Sequence, residues 1–247
     1  MTRRDRAAFA WYAVTALNCG LALVIQLVLV AKGHNVLVEP DGSTAGALER
    51  LLRFFSYFTV QSNILAAITT GILAAAVVAP ARYRLDGTWW KVTRFAAVLG
   101  MTTTIIVYVI VLAPILDLHG IAQVTDVMFH YIGPVLTLGG WLLFDRHGQV
   151  TRRLIGVVIC WPLAYFVYTQ VLGAISGWYP YPFLDADKHG AGSVLALPVL
   201  WARSGADRPA VLARAYADRV VALRSGSVVY AGAPDGLSDA VLAAVYE

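Results

Sequence analysis

Asp126 and His130 stand four residues apart in a stretch, 121–144, that carries no other charged residue. On a helix that spacing puts both side chains on one face. A carboxylate beside an imidazole fixes its tautomer and supports its protonated form, as in a catalytic dyad. Thr59, Ser62 and Asn63 share a face in the stretch 54–81 by i+3 and i+4 spacing. Tyr108 interrupts 92–116, and Tyr165, Tyr168, Thr169 and Gln170 interrupt 154–176. Polar and ionisable groups inside such apolar stretches cost free energy in hydrocarbon and face the interior of a bundle.

Each of these residues also has a structural explanation. A threonine in a membrane helix commonly bonds its own i−4 carbonyl, which would leave Thr59 without a chemical role. Asn63, Gln61 and Gln170 fit interhelical hydrogen bonds. Asp126 can sit close enough to the interface to be solvated. His130 is different, because an ionisable group at this depth is a functional hypothesis by default. Pro134, four residues later, removes one backbone hydrogen bond and predicts a bend.

The elements that must hold these residues are membrane spans. Hydrophobic residues make up 59% of the chain and charged residues 14%, with mean hydropathy +0.67. Soluble domains carry about 25% charged residues, so a water-facing coat is excluded. Five apolar runs, 7–31, 54–81, 92–116, 121–144 and 154–176, exceed the ~18 residues that distinguish a span from a core helix. A sixth, 190–202, contains Pro198 and falls short of the ~20 residues a span needs. The first run follows Arg3, Arg4 and Arg6, but is longer than the ~7–15 apolar residues of a cleaved signal, and reads as a retained span. The predicted fold is an all-α membrane bundle over 1–202, with five full spans and a short or truncated sixth.

Lys and Arg alternate between loops. They gather at the N-terminus, at Arg82, Arg84, Lys91 and Arg94, and at Arg146, Arg152 and Arg153, which predicts a cytoplasmic N-terminus in a plasma membrane. Topology thus explains the net charge of +4, and no nucleic-acid partner is expected. Counting residues at 1.5 Å rise puts Thr59 roughly 8 Å and His130 roughly 13 Å from the outer ends of their spans. Gln26, Tyr108 and Thr169 also fall toward the outer side. This convergence predicts a pocket near the outer leaflet, lined by Ser62, Asn63, Tyr108 and Thr169. Cys19 and Cys160 lie inside spans and predict no disulfide, and the five histidines show no ligand spacing, so neither metal nor cofactor is expected. In the segment 177–189, Trp178, Tyr179, Tyr181 and Phe183 fit an interfacial aromatic belt, and its prolines predict an extended turn.

After about residue 203 the pattern becomes charged and alternating. A small α/β tail over 203–247 is predicted, with helices at 209–218 and 237–246 around a hairpin of strands 219–223 and 227–231. This tail resembles the C-terminal end of ATP-binding subunits of ABC importers, those of phosphonates especially. That resemblance makes an ABC transporter a conceivable partner. No Gly-x4-Gly-Lys-Ser/Thr loop occurs, which excludes ATPase chemistry of that kind.

The spans carry a second resemblance. FFSYFTVQSNIL at 54–65, HYIGPVLTLGGWLLF at 130–144 and WYPYPFLD at 178–185 are similar to bacterial members of the androgen-induced-protein family of multi-span membrane proteins. Characterised animal relatives hydrolyse fatty acid esters of hydroxy fatty acids with an intramembrane threonine and a histidine. By motif these correspond to Thr59 and His130. The resemblance implies a lipid-ester hydrolase among membrane lipids, with Thr59 as nucleophile and His130 as base. Asp126, from its spacing alone, would orient His130. The same polar cluster also fits a non-enzymatic protein that binds or moves a lipid or small solute.

Overall fold

The computed structural model describes residues 1–33, 45–116, 118–145, 150–185, 220–224, 227–233, 236 and 238. Five helical runs are long and apolar enough to cross a membrane: Arg3–Ala31, Phe58–Val78, Thr88–Leu112, Ile121–Phe144 and Arg152–Ser176. The chain is a membrane protein on that ground. The sixth run at 190–202 and the tail helices at 209–218 and 237–246 lie outside the described residues. Two compact units are distinguished, Met1–Val167 and Tyr168–Glu247.

In the first unit α1 (Arg3–Ala31) packs along α3 (Phe58–Val78), and α3 packs on α4 (Thr88–Val107). Thr2 starts α1 with a capping box, its hydroxyl accepting from Asp5 N–H while the Asp5 carboxylate accepts from Thr2 N–H. At the other end α1 is closed by α2 (Ala47–Ser56). Arg50 of α2 donates to the carbonyls of Val30 and Ala31, both at 2.9 Å, satisfying acceptors the helix end leaves open. Leu48, Leu52 and Phe55 form an exposed apolar stripe on α2, while Phe54 turns inward onto Val30 and Val60.

The run 54–81 is not one helix. It breaks at Tyr57, which is extended (φ −74°, ψ 131°), so the span begins at Phe58. A break in hydrocarbon exposes backbone groups that only protein can satisfy. Tyr165 of α7 (Arg152–Ser176) does so from both sides. Its hydroxyl accepts from Phe58 N–H at 3.2 Å and donates to Ser56 O at 2.9 Å. The Phe58 ring lies against Trp161 and Tyr165, centroids 4.8 and 5.0 Å away. Thr59 is therefore the second residue of a helix, not the middle of one, and the 8 Å depth counted from residue 54 does not apply.

Arg94 is a second correction. The charge count treats it as a loop cation, but α4 starts at Thr88 and holds Arg94 buried, 5% exposed. Its guanidinium meets Asp145, just past α6 (Gly133–Phe144), with Nε 2.8 Å from Oδ2. Tyr12 of α1 donates to the other carboxylate oxygen at 2.6 Å. One buried ion pair thus ties α1, α4 and the end of α6 together.

In the second unit, Gly173 has no side chain because the Tyr179 ring occupies that space; an added Cβ would stand 2.1 Å from it. The expected extended turn contains one short 3₁₀ turn, Pro182–Leu184, and Gln170 donates to Leu184 O at 3.0 Å. In the tail β1 (Val220–Arg224) and β2 (Ser227–Gly232) pair antiparallel, Val220 opposite Gly232, with a register shift between Ala222 and Leu223. The hairpin falls within a residue of its predicted place.

Replacing Tyr165 by Phe keeps the ring and removes the hydroxyl, and with it the hydrogen bonds to Phe58 N–H and Ser56 O. Tyr165→Phe is expected to destabilise the protein by about 2 kcal/mol or more in denaturant unfolding from detergent micelles.

Candidate functional site

Two prolines shape the centre of the first unit. A proline has no N–H, so the carbonyl four residues before it loses its α-helical donor. Before Pro114 the backbone widens into a π turn, Tyr108–Leu112, in which Ala113 N–H reaches back five residues to Tyr108 O. Before Pro134 the same happens between α5 (Ile121–Val127) and α6. Met128–Ile132 is a π turn, closed by Gly133 N–H on Met128 O. Where Pro134 predicts a bend, the backbone forms this widened turn. Such turns recur at functional sites because they leave carbonyls accessible and re-aim side chains.

Side chains from neighbouring helices take up those carbonyls. Asn18 of α1 donates to Met128 O at 3.1 Å. Asn63 of α3 donates through one nitrogen to Thr59 O at 2.9 Å and to Phe129 O at 3.4 Å. The backbone of Thr59 and the residue before His130 are therefore held by a single amide. Gly133 makes room for it: a Cβ there would lie 3.1 Å from Asn63 Oδ1 and 3.0 Å from Met128 O. Asn63 acts as the interhelical link its residue type suggested. Asn18 escaped sequence reasoning, although an amide mid-span was its signal. Gln26, expected at this level, stands eight residues further along α1, roughly 12 Å.

Tyr108 and His130, one on each π turn, meet Asp126 of α5. His130 Nδ1 lies 2.9 Å from Asp126 Oδ1 and 3.1 Å from Asp126 O. The Tyr108 hydroxyl donates to Asp126 Oδ2. The Tyr108 and His130 rings stack in parallel, centroids 4.0 Å apart and planes 12° from each other. Both carboxylate oxygens are thus engaged, and the two side chains of the pair are 12% and 14% exposed. A carboxylate and a carbonyl only accept, so Nδ1 must carry a proton. In the neutral ring Nε2 is then the basic nitrogen.

Thr59 and the fully buried Ser62 and Asn63 line the same side of α3. Ser62 Oγ faces the Cα of Gly100 on α4; it and Asn63 Oδ1 are buried without a hydrogen-bond partner among the described residues. Thr69, Thr70 and Thr125, by contrast, bond their own i−4 carbonyls at 2.6–2.8 Å. Thr169 is fully buried in the second unit, as part of α7. Among the described residues no group of three His, Cys, Asp or Glu side chains is placed to hold a metal. Cys19 is buried and Cys160 exposed, both as free thiols.

Neutral His130 is expected as the Nδ1–H tautomer, with the nitrogen-15 shifts of labelled protein as the readout. An Nε2–H tautomer would contradict the hydrogen bonding described. Tyr108→Phe keeps the stack but leaves Asp126 Oδ2 without its donor, and is expected to cost about 1.5–3 kcal/mol, the worth of a hydrogen bond to a charged group.

No family model, curated protein or solved structure matches this chain, so what the site does must be argued from its own geometry.

Proposed function

We propose that this chain is a membrane-embedded hydrolase of long-chain lipid esters, with His130 as general base and Thr59 as nucleophile. The observation that supports it most is the engagement of Asp126, which takes Nδ1–H of His130 on one oxygen and the Tyr108 hydroxyl on the other. A base held in one tautomer by a buried carboxylate is what proton abstraction from a hydroxyl requires.

In this reading the Thr59 hydroxyl proton passes to Nε2 as Oγ1 bonds to the ester carbonyl carbon. The tetrahedral intermediate collapses, the carbon–oxygen bond to the alcohol breaks, and Nε2–H returns its proton to the leaving oxygen. Water then repeats the sequence on the acyl-threonine and releases the acid. Thr59 stands in the first turn of α3, where the helix dipole favours negative charge. That end of α3 suits a developing oxyanion. The ester would arrive laterally from the membrane, and the basic loops support an N-terminus in the cytoplasm.

Purified full-length protein in detergent is expected to turn over p-nitrophenyl palmitate. Thr59→Ala and His130→Ala should each lower kcat on the order of 10³-fold or more. Asp126→Asn should cost less, because Asp126 O still accepts from Nδ1. Ester bound without turnover, with affinity unchanged by Thr59→Ala, would overturn the reading in favour of a lipid-binding protein.

A further inference from the structure

At the basic end of the first unit, α1, α3, α4, α6 and the segment 80–86 line a half-open cavity of about 650 Å³. It lies far from His130: Arg94, on its wall, precedes Tyr108 by fourteen residues, roughly 20 Å along a helix. Arg4, Arg84, Lys91 and Arg94 line it, with Trp90 beside them. Of the three carboxylates on its wall, Asp145 is engaged by Arg94 and Tyr12 and Asp5 by Thr2, and the third, Asp86, lies two residues after Arg84. Among the described residues Arg84 and Lys91 have no acidic partner.

Arg94 is the informative member. Asp145 and the Tyr12 ring, 6.0 Å from the guanidinium carbon, hold it in place. Its Nη1 is nevertheless buried with no hydrogen-bond partner among the described residues. A charged donor left unsatisfied inside a protein costs more than the ~1–3 kcal/mol of a neutral one, so an oxygen-rich partner is favoured there. A guanidinium fork matches phosphate oxygens, and the flanking Arg and Lys supply further charge. The volume lies within the ~300–1,000 Å³ of small-molecule sites.

We propose that this cavity binds a phosphate ester, held by Arg94, Arg84 and Lys91. The favoured source is the headgroup of an anionic phospholipid. Five membrane-crossing helices place lipid around the bundle, and basic pockets between helices on the cytoplasmic side take such headgroups. Leu73, Val77 and Phe144 supply apolar wall toward the membrane interior. The site is independent of the hydrolase reading.

The test is native mass spectrometry of the full chain in neutral detergent, titrated with phosphatidylglycerol, phosphatidylcholine or glycerol 3-phosphate. Preferential one-to-one binding of phosphatidylglycerol is expected. Arg84→Gln with Lys91→Gln should weaken it roughly tenfold or more, the scale of losing two basic contacts to an anionic headgroup. Arg3→Gln with Arg6→Gln removes equal charge at the same end but outside the cavity, and should leave binding intact. Equal loss in both double variants, or no preference over phosphatidylcholine, would overturn the site. Glycerol 3-phosphate that displaces the lipid at matched concentration would overturn the lipid source and assign the pocket to a soluble phosphate ester.

Discussion

Backbone hydrogen bonding without water is the constraint on which the rest of this bundle depends. In hydrocarbon an unpaired N–H or C=O costs several kcal/mol, so a membrane helix can be interrupted only where another part of the protein closes the gap. Among the described residues the helices of the first unit are interrupted at Tyr57 and before Pro114 and Pro134. At Tyr57 the Tyr165 hydroxyl bridges the two sides. Before Pro134 two asparagines reach across from α1 and α3. Polar side chains are thus drawn into the interior as repairs, and the candidate site is built among them.

The same logic explains why Tyr108, Asp126 and His130 meet. Both π turns precede a proline by the same spacing, and each inserts a wider turn that rotates the residues before it. Tyr108 begins one turn and His130 sits in the middle of the other, and their rings stack face to face. Small residues let the helices approach: Gly133 lies beneath Asn63 and Gly100 beneath Ser62. At the opposite end the buried Arg94–Asp145 pair fastens three elements and leaves a polar cavity. The candidate site and this anchor are therefore separated along the bundle.

The spans were legible in the sequence because hydropathy is summed over some twenty residues and tolerates local irregularity. The i, i+4 pairing of Asp126 with His130 was legible for the same reason: a π turn shifts the helix too little to separate neighbours four apart. The break at Tyr57 was not, since FFSYFTV is apolar on both sides of it and the partner that permits it, Tyr165, is 108 residues away. Arg94 was misjudged because a charge near a span end reads as a loop residue until its carboxylate is seen. Prolines 114 and 134 were visible, yet whether a proline kinks a helix or widens it depends on which donors stand nearby. Asn18 could have been singled out by the rule already applied to Asn63.

The central claim is that Thr59 and His130 form a nucleophile–base pair in the membrane. Labelling the purified protein with a fluorophosphonate probe and mapping the adduct by peptide mass spectrometry tests it most directly. The account predicts one adduct on Thr59, absent from His130→Ala protein of unchanged fold. An adduct on another residue, or none under conditions where a known serine hydrolase is fully labelled, would contradict it.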